Sequence, residues 1–239
     1  MARFRGVFES RNKADGSLVT EVDEATEDAI RAIVARERPR DAFLGEERGQ
    51  TGSGSRRWIV DAIDGTLDFA AGTTGWGTLI ALEIDGRIAV GVCEMSPRGK
   101  RYFATRGGGA FVSASGARDV RLQVSATAEL AAARCFVPPA LWVRTPAARA
   151  MSNAVSAATL PYNQDEHPAL EVAFGGADLC VFFMAGVWDL AAPALVVEEA
   201  GGRFTDLAGG STLTGGAVFS NGRLHDAAIE LLQQASEAR

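Results

Sequence analysis

The chain has 239 residues, a formal net charge of −6, and a composition that is 47% hydrophobic and 23% charged. That balance supports a sizeable core without metal or disulfide staples, and 27 Gly with 8 Pro fall short of the ~25–30% that marks low-complexity chains. No run of about 18 apolar residues predicts a membrane span, and an acidic chain is a poor nucleic-acid groove, which needs a dense basic face.

The N-terminal stretch MARFRGVFESRNKADGS lacks the apolar segment of a secretory signal. Cys93, Cys135 and Cys180 are odd in number, widely spaced and without a CxxC pair. Together these predict reduced, buried thiols and a cytoplasmic protein.

KADGSLV (13–19) reads as a polar turn entering a short extended stretch. From Thr20 the apolar positions Val22, Ala29, Ile30, Ile33 and Val34 fall at helical spacing, acids crowd the first turns, and Pro39 closes the helix. Residues 48–57 read as a flexible loop, and WIVDAID (58–64) as a buried strand running into a turn. TLIALEI and RIAVGVCEM are apolar runs joined at Asp85-Gly86, a hairpin signal, and YFATRGGGAFV predicts a second hairpin. Beyond about residue 125 the texture changes. It predicts helices over 145–158 and 167–175, a strand at LCVFF, a helix in VWDLAAPALVVEE closed by glycine, and an amphipathic terminal helix. The mixture is α+β with layered sheets, in two sub-regions, 1–125 and 126–239, packed as one unit with the site between them.

Common hydrolase machinery is missing: there is no GxSxG, Walker A, HExxH or DxD motif, and no cysteine followed six positions later by arginine. His167 and His225 are isolated in sequence, and neither is assigned a catalytic role. What remains is carboxylates. Asp61 and Asp64 end an apolar strand three residues apart, with Gly65 and Thr66 following where a helix begins. Acids delivered by an apolar strand must be paired or bound to metal, and their hard oxygens suit Mg²⁺. Amides at a helix start suit a phosphate. Glu46-Glu47 follows an apolar FLG, Asp189 is the one acid in GVWDLAAPALVV, and Asp23 follows the Val19-Thr20 stretch. Taken singly, each reads equally as an acidic turn, a helix cap or a first-turn acid.

Taken together, four segments resemble the inositol monophosphatase family of metal-dependent, lithium-sensitive phosphatases. They are KADGSLVTEVD (13–23), GEE (45–47), WIVDAIDGTLDF (58–69) and WDLAAPALVVEEAGG (188–202), supported by RGGGAF (106–111) and SNGRLHD (220–226). The nearest texture is that of the actinobacterial histidinol-phosphate phosphatases. The resemblance implies a layered αβαβα sandwich and a homodimer. It also implies hydrolysis of a small phosphorylated metabolite with two or three Mg²⁺ ions, Mn²⁺ substituting. Glu46, Asp61 and the Ile63 carbonyl would hold the first metal, and Asp61, Asp64 and Asp189 the second. Thr66 with Asp23 behind it would orient the attacking water, and the Gly65 and Thr66 amides would hold the phosphate. Three departures stand out. Ala62 replaces the motif's usual proline, which loosens the turn by roughly 0.4–1 kcal/mol. Asp68 replaces its usual asparagine, and Phe182 stands where the family carries a substrate-binding glutamate. Phe182 and Phe183, with Trp142 or Tyr162, would offer an aromatic face to a leaving group, or else pack into the core.

Overall fold

A computed structural model describes residues 4–14, 16–114, 116–139, 142–162 and 166–237. Among these, the chain forms a two-stranded sheet of β1 (Ser10–Asn12) and β2 (Leu18–Thr20), an eight-stranded sheet and a five-stranded sheet. The eight-stranded sheet contains β3 (Ala42–Gly45), β4 (Gly49–Thr51), β5 (Arg56–Asp64), β6 (Gly77–Ile84), β7 (Arg87–Met95), β8 (Lys100–Thr105), β9 (Gly109–Ala114) and β10 (Val120–Arg121), in the order β10-β9-β8-β7-β6-β5-β3-β4. The five-stranded sheet runs β12 (Leu160–Pro161), β11 (Arg134–Phe136), β13 (Leu179–Phe182), β15 (Ala217–Ser220), β14 (Arg203–Asp206).

The helices divide these sheets into the expected αβαβα layers. On the outer face of the large sheet, α1 (Glu21–Glu37) packs Ile30 and Val34 onto Phe43, Trp58 and Val60. Thr20 caps it, accepting from the Val22 N–H at 3.2 Å and the Asp23 N–H at 3.4 Å, the kind of contact worth about 1 kcal/mol. Between the sheets lie α4 (Pro168–Ala173), buried along its whole length, and α5 (Val187–Glu199), buried from Leu190 to Val197. A helix apolar all round belongs inside a core, and α5 shares one with both sheets. It approaches β7 so closely that a Cβ on Gly91 would stand 2.8 Å from the Ala192 carbonyl oxygen. On the far face, α3 (Pro146–Ala158) and α6 (His225–Glu237) bury Met151, Val155, Ala228 and Leu232 against Leu179, Val181 and Val218.

The β6–β7 turn has Asp85 at φ 50 and Gly86 at φ 77, the doubly left-handed geometry a tight hairpin of this twist requires. One stretch differs from expectation. Within 48–57, Gly49–Thr51 pairs antiparallel with β3 as β4. GQT has no apolar alternation to reveal this; the Arg31 guanidinium pins it, donating to the Gly49 carbonyl at 2.9 Å and Thr51 Oγ1 at 2.7 Å. The polar SRN of β1 likewise pairs with β2 by backbone bonding alone. Before it, Phe4 and Phe8 pack on Phe69, which makes an edge-on contact with Trp76. No helix among the described residues is long and apolar enough to cross a membrane. All three cysteines are free and buried.

Candidate active site

Two strand features assemble the acids. β3 and β5 are parallel with Gly45 opposite Val60, so Glu46 leaves β3 beside Asp61, its N–H donating to the Val60 carbonyl at 3.3 Å. Residues three apart on a regular strand face opposite sides of the sheet. The pairing of β5 with β6 is irregular between Asp61 and Asp64, and such a bulge re-aims side chains. Asp61 and Asp64 therefore meet on one side, where Asp189 enters from the first turn of α5. Carboxylate oxygens of Asp61, Asp64 and Asp189 lie within 4.8 Å of one another.

Backbone donors orient two of the three. The Ile63 N–H donates to Asp61 Oδ1 at 3.0 Å, and the Gly186 N–H to Asp189 Oδ2 at 2.6 Å. Beside Asp64 lies His167, with Nε2 3.6 Å from Oδ2. Burial pushes the Asp61 carboxyl well above the ordinary carboxylate range, and the charges of Glu46, Asp64 and Asp189 push it further. Burial, then the charge of Asp68, raises Asp64 to about 7. Burial, then the charge of Asp64, raises Asp189 to about 7. Burial also raises Glu46, against the Lys13 ammonium that donates to it at 2.7 Å. Lys13 is shared with Glu47, also at 2.7 Å. Asp61 is buried and Asp64 and Asp189 are half-buried; three carboxylates at this spacing, with the Lys13 charge acting on Asp189, form a donor set short of countercharge, and their hard oxygens fit a divalent cation of the Mg²⁺ type.

Next to this cluster the Thr66 hydroxyl donates to Asp23 Oδ1 at 2.9 Å and lies 3.2 Å from the Ile63 carbonyl oxygen. Asp23 is buried, and its other oxygen accepts the Thr20 N–H at 3.1 Å and contacts the Thr20 hydroxyl. Gly65 precedes α2 (Thr66–Ala71) at φ 82, and a Cβ there would stand 2.6 Å from the Gly75 carbonyl oxygen. Glycine is required twice over at this turn. Asp68, one turn further on, holds the Thr73 hydroxyl and faces the cluster by charge.

The aromatic side chains divide. Phe182 packs with Phe136 and Phe219 and lies 6.1 Å, ring centre to ring centre, from His167. Phe183, one residue past the end of β13, packs instead against the apolar cluster under α3 and α6, as the core-packing alternative expects, so the two neighbouring rings face different sides. Trp142 is exposed, and the Tyr162 hydroxyl donates to Glu171 at 2.6 Å. Sequence reasoning passed over two residues. Glu27, one acid in an acidic helix, is fully buried; it accepts the Glu47 N–H at 2.7 Å, the Arg48 N–H at 3.1 Å and Arg31 at 2.7 Å, fixing the turn that carries Glu46. His167 is buried beside Asp64, and burial pushes its imidazole down to about 4. A buried polar partner 20 or 100 residues away leaves no periodic signal.

The inositol monophosphatase family model matches residues 2–237. The chain belongs to that family. It is 42% identical to the Histidinol-phosphatase of Mycobacterium tuberculosis, over 92% of this chain and 86% of that protein. It is 37% identical to the Histidinol-phosphatase of Streptomyces coelicolor, over 98% and 91%. A solved IMPase structure from Thermotoga maritima matches with a TM-score of 0.85 and 25% identity, covering 99% of this chain and 91% of that one. This inositol monophosphatase family member is a phosphoric monoester hydrolase acting on a small phosphorylated substrate.

Proposed function

We propose that the protein is a Mg²⁺-dependent phosphomonoesterase that transfers the phosphoryl group of a small metabolite directly to water. The observation that carries this reading is the Asp61, Asp64 and Asp189 trio, the first buried and the others half-buried, with oxygens within 4.8 Å, beside a threonine bonded to a buried aspartate. Glu46, Asp61 and the Ile63 carbonyl would hold one ion, and Asp61, Asp64 and Asp189 another. Two or three Mg²⁺ ions, or Mn²⁺ in their place, would supply the positive charge that activates a water and offsets charge on the attacking and leaving oxygens.

The chain's own groups supply the rest. With its proton given to Asp23, Thr66 Oγ1 presents lone pairs that accept from a water and aim the water's oxygen at phosphorus. The Gly65 and Thr66 N–H groups hold the phosphate, and Asp68 sits at the mouth. Water's oxygen bonds to phosphorus as the ester P–O bond breaks, and water's proton leaves with the alkoxide as the free alcohol; no covalent enzyme intermediate forms. Asp23 and Thr66 come from the half spanning 1–125, and Asp189 from the half spanning 126–239.

The relatives' names put histidinol phosphate on the substrate screen. Phe182, which brings no acid to pair a substrate ammonium, argues for a broader one. It includes inositol 1-phosphate, sugar phosphates, nucleoside monophosphates and 3′-phosphoadenosine 5′-phosphate. Phosphate release with Mg²⁺, against release with a chelator, tests the reading: strong metal-dependent turnover of one member is expected, and turnover untouched by chelation would refute it. The same reading makes the protein a cytoplasmic homodimer inhibited by lithium. Light scattering showing a monomer at micromolar concentration, or activity indifferent to lithium at roughly tens of millimolar, would remove those two statements.

A further inference from the structure

The three clustered acids are not held alike. Asp61 and Asp189 each take a backbone hydrogen bond, at 3.0 and 2.6 Å. The Asp64 carboxylate has no such donor among the described residues. Its polar neighbour is the His167 imidazole, with Nε2 3.6 Å from Oδ2, just beyond hydrogen-bond length. We propose that His167 is the positioning residue for Asp64: its Nε2–H donates to Oδ2 and turns the other carboxylate oxygen toward the cation. The proposal rests on the metal-centre reading above.

Three features hold the ring in this role. His167 directly precedes Pro168, the first residue of α4, with an extended backbone at φ −59 and ψ 129; a following proline disfavours the helical alternative. Phe182 packs against the ring from β13. His167 Nδ1 is buried and has no hydrogen-bond partner among the described residues; the Glu166 charge acts on the ring, and the Asp64 carboxylate is the group that faces Nε2. A neutral imidazole has one N–H and one bare nitrogen. Because the group facing Nε2 is an acceptor, the proton belongs on Nε2. Hydrogen-bond partners of metal-binding groups tune affinity, and their loss typically costs 10–100-fold.

Glutamine and asparagine separate donation from space filling. A glutamine amide nitrogen reaches about as far as imidazole Nε2, an asparagine amide only as far as Nδ1, and phenylalanine keeps a ring with no donor. Mn²⁺ binding, read by calorimetry and by the electron paramagnetic resonance of free Mn²⁺, is measured for wild type, His167→Gln, His167→Asn, His167→Phe and Asp189→Asn. The expected result is a loss of about 10–100-fold for His167→Asn and His167→Phe, and binding within about threefold of wild type for His167→Gln. If His167→Asn does not fold, His167→Phe carries the comparison. Unchanged binding in all the His167 variants, or equal weakening in all of them, overturns the positioning role. Loss of Mn²⁺ binding in Asp189→Asn alongside either result leaves the metal centre standing. A wild-type protein that binds no Mn²⁺ overturns both readings.

Discussion

Thr66 donates its hydroxyl proton to Asp23 across 2.9 Å, tying the first turn of α2 to the first turn of α1. Asp23 cannot drift, because the Thr20 N–H holds its second oxygen at 3.1 Å. The pair gives Thr66 a fixed acceptor direction, which is what a water-aiming group needs. Thr66→Val and Asp23→Asn should therefore lower kcat by roughly 10²–10⁴-fold while Mg²⁺ affinity changes far less than in Asp189→Asn. Steady-state kinetics beside metal titration makes the check. Near wild-type turnover in Thr66→Val would remove this residue from the chemistry.

The acid cluster sets a pH signature for the metal-free protein. Asp64 and Asp189 are raised to about 7 and Asp61 is raised as well, all chiefly by burial. Between about pH 4 and 7 the unfolded chain has released these protons and the folded chain retains them, so stability falls as pH rises. His167 and His225, both pushed down to about 4 by burial, act in the opposite sense over this window, losing stability as pH falls. The readout is therefore the difference between wild type and Asp189→Asn in chelator. Wild type should lose thermal stability relative to the variant from pH 4 to 7, and Mg²⁺ should reverse the difference. A pH-independent difference would mean that Asp189 is not under strain.

Gly45 and Glu27 form a support under Glu46. A Cβ at Gly45 would fall 2.2 Å from the Glu27 carboxyl carbon, so Gly45→Ala must displace a fully buried acid. We expect a loss of about 1–3 kcal/mol from this overpacking, together with weaker metal binding as the Glu46 turn loosens. Glu27→Leu strands the Glu47 and Arg48 N–H groups, at about 1–3 kcal/mol for each unpaired donor. Urea denaturation with parallel metal titration measures both effects, and a Gly45→Ala protein as stable as wild type would contradict the packing argument.

The legibility of this protein in its sequence follows from how each residue is held. α1, α5 and the β6–β7 hairpin could be read directly, because apolar spacing, a cap and a tight turn are local properties. Asp61 and Asp64 were visible as acids on an apolar strand, yet their spacing alone puts them on opposite faces; the bulge that reunites them has no signal in AID. The Thr66–Asp23 pair spans 43 residues and became visible through resemblance rather than pattern. Glu27 and His167 escaped because their partners come from distant elements, and an isolated histidine resembles any solvated one. For Phe182 and Phe183 the sequence left two readings open, an aromatic face for a ligand or packing into the core, because a pair of adjacent apolar residues does not say which ring faces where; the structure sends them to different clusters.

The central claim is that Asp61, Asp64 and Asp189 hold the ions that drive phosphate release. Its most direct test is the initial rate of phosphate release by wild-type and Asp189→Asn proteins, on the best substrate of the screen, across a Mg²⁺ titration. Asn keeps the shape of the side chain and removes its charge, and Asp189→Asn should fold and melt at or above the metal-free wild type because a repelled, half-buried charge is gone. Asp189→Asn should be folded, with at least roughly 100-fold lower turnover at every Mg²⁺ concentration. A folded variant with wild-type rate and wild-type Mg²⁺ dependence would contradict it.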